Sequence, residues 1–172
     1  MARSHYKFDP ERPYILHDPD NMPAKEFPGG DMIKLLSMTS IQLALLRHAD
    51  RVKIGCMTGG LGALCASNRE HVWKPASYYA YRQLIDNAKG ISLKTLVDCP
   101  TYDMPGYAID DTSQYTGKNN VPYIDSAAAW DKENGRLTLF VINRNEKDAY
   151  PLDMDLRGFD GLRTISHYEI YS

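Results

Sequence analysis

The sequence has no apolar run near the ~20 residues that a membrane-spanning helix needs. Its opening, Met1-Ala2-Arg3-Ser4-His5-Tyr6-Lys7, lacks the apolar core of a secretion signal, so a cytoplasmic location is expected. Basic excess is also missing: 20 Lys+Arg stand against 22 Asp+Glu, a net charge of −2. That balance excludes the basic stripe of a duplex-DNA or polyanion binder. The three cysteines, Cys56, Cys65 and Cys99, form no CxxC spacing and are expected as reduced, buried thiols. No HExxH and no pair at i, i+4 unites His5, His17, His48, His71 and His167, which read as packed or surface histidines. Gly59-Gly60-Leu61-Gly62 is followed by Cys65 where a dinucleotide fingerprint needs Gly or Ala, and no Gly-Lys-Ser/Thr follows either. Asp103, Asp110 and Asp111 lack calcium-loop spacing and read as solvated loop acids. No metal and no cofactor is therefore expected.

What is abundant is tyrosine: 12 Tyr against 4 Phe and 2 Trp. An apolar ring with a hydroxyl suits half-wet surfaces and sugar-facing clefts, and equally the outer positions of a β-sandwich. Tyr78, Tyr79 and Tyr81 cluster on a predicted helix, where packing against a neighbour outweighs sugar stacking.

The chain divides into three stretches. Residues 1–30 carry Pro10, Pro13, Pro19, Pro23 and Pro28 and end in Gly29-Gly30, which predicts an extended Pro-rich loop. Over 31–90 the pattern is helix, strand, loop, helix. Met32, Leu35, Leu36, Ile41, Leu45 and Leu46 recur near the 3.6 period over 31–49, with Asp31 as a candidate cap. Arg51–Met57 reads as a short strand, and the 58–62 turn as a rim loop at its carboxyl end, where barrel enzymes place their active sites. A second helix is expected from about Val72 to Ala88, with Pro75 in its first turn and Gly90 beyond its end. A lone strand between two helices fits a piece of an alternating α/β array, because one strand alone has no sheet.

From residue 91 the period changes to two. Strands are expected at Ser92–Val97, Tyr123–Trp130, Arg136–Asn143, Tyr150–Leu156 and Thr164–Tyr171, with a turn-rich insert over 98–121 and a hairpin turn at Asn134-Gly135. Short strands with turn signals suggest an antiparallel sandwich. The fold class expected is α+β: a partial (β/α)8-barrel remnant over 31–90, then an incomplete jelly-roll-like β-sandwich over 91–172. Glycoside hydrolysis would need two facing carboxylates. Glu11, Glu26, Glu70, Glu133, Glu146 and Glu169 supply no pair at the end of the single barrel-like strand, so no catalytic residue is assigned.

Several ordered runs resemble glycoside hydrolase family 51, the α-L-arabinofuranosidases. His48–Cys56 resembles that family's last barrel strand, and Val72-Trp73-Lys74 with Tyr78-Tyr79 is similar to the tryptophan-led helix after it. Val121–Ala129, Glu133–Arg144 and Asp155–Phe159 look like its C-terminal sandwich. The resemblance covers most of 31–172. It implies a (β/α)8 barrel that removes terminal α-L-arabinofuranosyl groups with retention, using an acid/base Glu after the fourth strand and a nucleophile Glu after the seventh. By the same resemblance this chain begins after the seventh strand and stops within the sandwich, so both glutamates are absent and the chain is expected to be inactive alone. The only Asn-Glu pair, Asn145-Glu146, falls in a sandwich turn. A substrate-contacting Gln of the family aligns near Gly59 or Gly60, which makes these two the candidate substrate-binding positions of the rim loop. The partners implied are arabinose-containing saccharides, met through a parent or complementary barrel, and a homo-oligomer; nucleic acid and membrane are not among them. A non-catalytic carbohydrate-binding module and one subunit of a split enzyme are the alternatives.

Overall fold

The computed structural model describes residues 3–7, 30–56, 66–67, 72–108, 114–145 and 147–171. In chain order the elements are β1 (Arg3–Lys7), α1 (Gly30–Arg47), β2 (Ala66–Ser67), β3 (Val72–Trp73), α2 (Ala76–Asn87), β4 (Ile91–Leu93), β5 (Thr101–Met104), β6 (Tyr107–Ala108), β7 (Gln114–Tyr115), β8 (Lys118–Pro122), β9 (Ile124–Asp131), β10 (Arg136–Asn143) and β11 (His167–Tyr171). The architecture is α+β. The strands fall into one three-stranded sheet, β10-β9-β4, and four two-stranded ones. All pair antiparallel except β1 with β11, which run parallel.

The three-stranded sheet follows from sequence. The run from Ile124 to Trp130 is apolar enough to be covered on both faces, and residues 124–129 are all buried. Asp131 then ends the strand by accepting from Asn134, through the backbone N–H (3.2 Å) and Nδ2 (2.7 Å). Gly135 takes φ +59°, which lets the chain reverse into β10. The register sets Ala127 opposite Phe140 and Asp125 opposite Ile142. Directly opposed residues share a face, so Asp125, Ala127, Ala129, Phe140 and Ile142 point one way. Ala128, Trp130, Leu137, Leu139 and Val141 point the other, with Ile91 and Leu93 of β4.

Helix α1 lies on the first face. Leu43 is fully buried against Ala127 and Ile142, with Leu36, Leu46, Leu84 and Phe140 around them. Leu84 comes from α2, so both helices share this core. Thr39 Oγ1 donates back to the Leu35 carbonyl (2.7 Å), which removes a polar group from the packed side.

Several expectations are corrected. Within the predicted loop 1–30, residues 3–7 are strand β1. Residues 51–56 do not form the expected strand: turn bonds from Arg51 N–H and Val52 N–H to the His48 carbonyl lead into an irregular segment. A barrel strand exists only through neighbours on both sides, and none lies beside it among the described residues. Helix α2 starts four residues later than expected. Val72-Trp73 pair instead with Ala66-Ser67, and Pro75 is the N-cap, extended at ψ 167°, not a first-turn residue. The 98–121 insert carries β5 to β8 rather than turns alone. The alternating stretch 150–156 forms no strand among the described residues, and the first and last expected strands shorten to β4 and β11. Cys56 is exposed, against the expectation of a buried thiol, whereas Cys99 is half-buried and accepts from the Ile124 N–H at 3.4 Å.

Candidate functional site

The two positions singled out for substrate, Gly59 and Gly60, lie outside the described residues, as do Cys65, His17, His71, Asp110, Asp111 and Glu146. Of the glutamates within them, Glu133 stands exposed in the β9–β10 turn and Glu169 pairs with His167 at 3.3 Å. His48 Nδ1 lies 3.0 Å from Arg51 Nη2. Asp103 Oδ1 accepts the Asn120 N–H at 2.8 Å. Among the described residues no three His, Cys, Asp or Glu side chains gather as metal ligands would. Tyr78 lies edge-on to Tyr79 at 5.4 Å and carries the Lys74 ammonium 4.8 Å above its ring, so its ring is engaged in packing. A second stack, Tyr102, Tyr123 and Tyr150, has centroids 4.8 and 5.8 Å apart, and Asn145 Nδ2 lies 2.9 Å from the Tyr150 hydroxyl.

Sequence reasoning missed the densest polar node. Asp125, its side chain only 10% exposed, receives Arg47 Nη1 on Oδ1 at 2.6 Å and Arg144 Nη2 on Oδ2 at 2.5 Å. Arg47 also donates to the Ser126 carbonyl (2.8 Å). Arg144 donates to the Pro122 carbonyl (3.1 Å) and to Ser40 Oγ (3.3 Å). Arg47 ends α1, Asp125 opens β9 and Arg144 follows β10. The node therefore ties the helical layer to the sheet, with each carboxylate oxygen engaged by a cation. A carboxylate held on both oxygens and only 10% exposed positions elements rather than facing open solvent. The available signal was an Asp inside an apolar strand, which must find a cation, and two arginines bordering the runs that carried the family resemblance.

Two clefts flank this layer. One of about 400 Å³ lies beside the node, lined by Arg47, His48, Asp50 and residues 92–95. The other, about 630 Å³, opens at the hairpin end of β9. Trp130 forms its apolar wall, meeting Phe159 edge-on at 4.9 Å. Lys89, Lys132, Glu133 and Asn134 rim it. Gly90 is the tight point of the wall: a Cβ there would fall 2.0 Å from the Trp130 carbonyl oxygen, and φ is +83°. The Asn134 side-chain amide, and then its backbone N–H, hold the Asp131 carboxyl below its ordinary range. The larger cleft is lined by two carboxylates, Asp131, which is held by Asn134, and Glu133, which is exposed in the turn.

Residues 31–172 match the family described as the alpha-L-arabinofuranosidase C-terminal domain. Among curated proteins, an intracellular exo-alpha-(1->5)-L-arabinofuranosidase 1 of Bacillus subtilis is 31% identical over 135 residues, which is 77% of this chain and 25% of that protein. One from Halalkalibacterium halodurans is 27% identical over the same shares. One from Streptomyces lividans is 26% identical over 161 residues, 92% of this chain and 21% of that protein. The chain spans about a quarter of the length of the curated relatives it matches.

Proposed function

This chain belongs to the alpha-L-arabinofuranosidase C-terminal domain family, and from that premise we propose that it is the C-terminal portion of an enzyme releasing terminal non-reducing α-L-arabinofuranosyl residues in L-arabinose metabolism. The observation that carries the reading is the match over 31–172, which takes in both helices and the β9–β10 sheet as one unit. In this reading 31–90 is the terminal unit of a (β/α)8 barrel, whose segment 51–56, irregular here, becomes a strand only beside the parent's neighbouring strands, and 91–172 is a jelly-roll-like sandwich. The 58–62 loop with Gly59 and Gly60 lines the rim of the parent's cleft. In this reading the chain acts in the cytoplasm, supported by the word intracellular in the relatives' names.

The chain alone is inactive in this proposal. Retaining hydrolysis needs two carboxyl groups about 5 Å apart across a cleft. Glu133, exposed in a hairpin turn, and Glu169, paired to His167, do not make such a pair. Arabinose-containing saccharides then meet the chain through a barrel that supplies both groups. That barrel is either covalently joined to this chain or a separate subunit.

Two assays test this. The isolated chain should not cleave an aryl α-L-arabinofuranoside; turnover abolished by one Glu→Gln replacement would overturn its inactivity. Replacing the matched segment of the Bacillus subtilis relative with residues 31–172 should give a chimaera that hydrolyses the same substrate. A folded chimaera without turnover would overturn the assignment to this enzyme class.

A further inference from the structure

We propose that the cleft at the hairpin end of β9 is a saccharide-binding subsite, with Trp130 as its stacking surface and Lys89, Lys132, Glu133 and Asn134 as its hydroxyl-binding rim. It is an open cleft of about 630 Å³ lined largely by exposed residues, so a ligand would lie along it rather than be enclosed. An indole offers a broad apolar face suited to the C–H face of a sugar ring. Phe159 meets that indole edge-on, with centroids 4.9 Å apart and ring planes at 69°.

The rim charges decide the ligand class. Lys89 and Lys132 are balanced by Asp131 and Glu133, so the cleft carries no net charge that would select an anion or a cation. A neutral polyhydroxylated ligand uses both kinds of group, because each hydroxyl donates to a carboxylate and accepts from an ammonium. Part of the wall is pre-ordered. Asp131 is bound twice by Asn134, and Gly90 packs against the Trp130 backbone too closely to admit a side chain. Binding then has to order only the exposed Lys89, Lys132 and Glu133 side chains. Trp130 points to the sheet face opposite Asp125, so the subsite is separate from the node that fixes α1. That the sugar is arabinofuranosyl rests on the proposed function; the stacking and the balanced rim require only a neutral saccharide.

The test is titration of the full chain with α-1,5-linked arabinotriose, followed by calorimetry and by tryptophan fluorescence, with cellotriose as the control. Saturable binding of arabinotriose is expected, with a fluorescence change that survives Trp73→Phe. Trp130→Phe, which keeps an aromatic ring beside Phe159, should weaken binding about two- to tenfold. Lys132→Ala, in the exposed turn, should weaken it without changing the melting temperature. Absence of saturable binding, or affinity untouched by both variants, would overturn the subsite. Binding of cellotriose alone would overturn arabinose as its ligand. An active chimaera whose isolated C-terminal chain binds no saccharide removes the subsite and leaves the enzyme class standing; binding with an inactive chimaera does the reverse.

Discussion

Replacing Asp125 by Ala should unfasten the helical layer from the sheet. The variant loses two charge-assisted hydrogen bonds, at 2.6 and 2.5 Å, from a carboxylate that is 90% covered. Removing one partner of a buried ion pair costs about 3–5 kcal/mol, because the remaining charge is stranded. Here the arginines are 31% and 22% exposed and keep bonds to the Ser126 and Pro122 carbonyls, so water relieves part of that cost. The expected loss is about 2–4 kcal/mol. For a domain of this size that is a fall in melting temperature of about 5–15 °C. Urea unfolding gives the free energy, and amide exchange along α1 locates it: protection should drop in α1 more than in β9 and β10. Asp125→Asn, which keeps one acceptor, should fall between the two. A variant within about 0.5 kcal/mol of the parent, with α1 still protected, would refute the idea that this node holds the helix.

Two further outcomes follow from the hairpin end of the sheet. Gly90→Ala should cost about 2–4 kcal/mol in urea unfolding, since φ +83° strains any L side chain and the new Cβ meets backbone at 2.0 Å; Gly158→Ala, at φ +81° with nothing within 4 Å, should cost only about 1 kcal/mol, and equal losses would contradict the close packing at Gly90. Asp131, whose folded carboxyl lies below its ordinary range because Asn134 binds the charged form, contributes stability above its unfolded value of about 3.9. That contribution is lost as pH falls through the lower folded value, so the advantage of the parent over Asp131→Asn at pH 7 should shrink by pH 3; a constant difference would show that the carboxylate charge is not what Asn134 recognises.

The parts legible in the sequence were those fixed by local pattern. Helix α1, a long run of good helix formers apolar on more than one side, and the β9–β10 hairpin, with its Asn134-Gly135 reversal, need only local composition and turn chemistry. Elements whose existence depends on a distant partner were misread. Val72-Trp73 is a strand because Ala66-Ser67 lie beside it, and nothing in the helical pattern that follows announces that pairing. Residues 150–156 alternate well but pair with no strand among the described residues, because alternation supplies a face but no neighbour. Lys118–Pro122 sits in a turn-rich insert, yet pairs with Thr101–Met104 across a break in register. The Arg47–Asp125–Arg144 node joins residues 78 and 19 positions apart, a spacing no motif encodes.

That node also bears on why a small apolar core suffices to hold two helices. Leu43 is the one large side chain that is fully covered among the described residues, and it meets Ala127, which offers little volume. Apolar packing of this kind tolerates sliding, because alanine methyls leave shallow holes. Two bidirectional arginine contacts do not: Arg47 on Asp125 fixes the end of α1 along the strand, and Arg144 on Ser40 fixes its middle. The chain leaving α1 leads within a dozen residues to the 58–62 loop. Under the proposed function, the sheet thereby sets the starting point of the cleft rim. A chimaera carrying Asp125→Ala should then lose substrate affinity (higher KM) before it loses global fold, and a variant that lowers melting temperature with KM and kcat both intact would separate the node from the cleft.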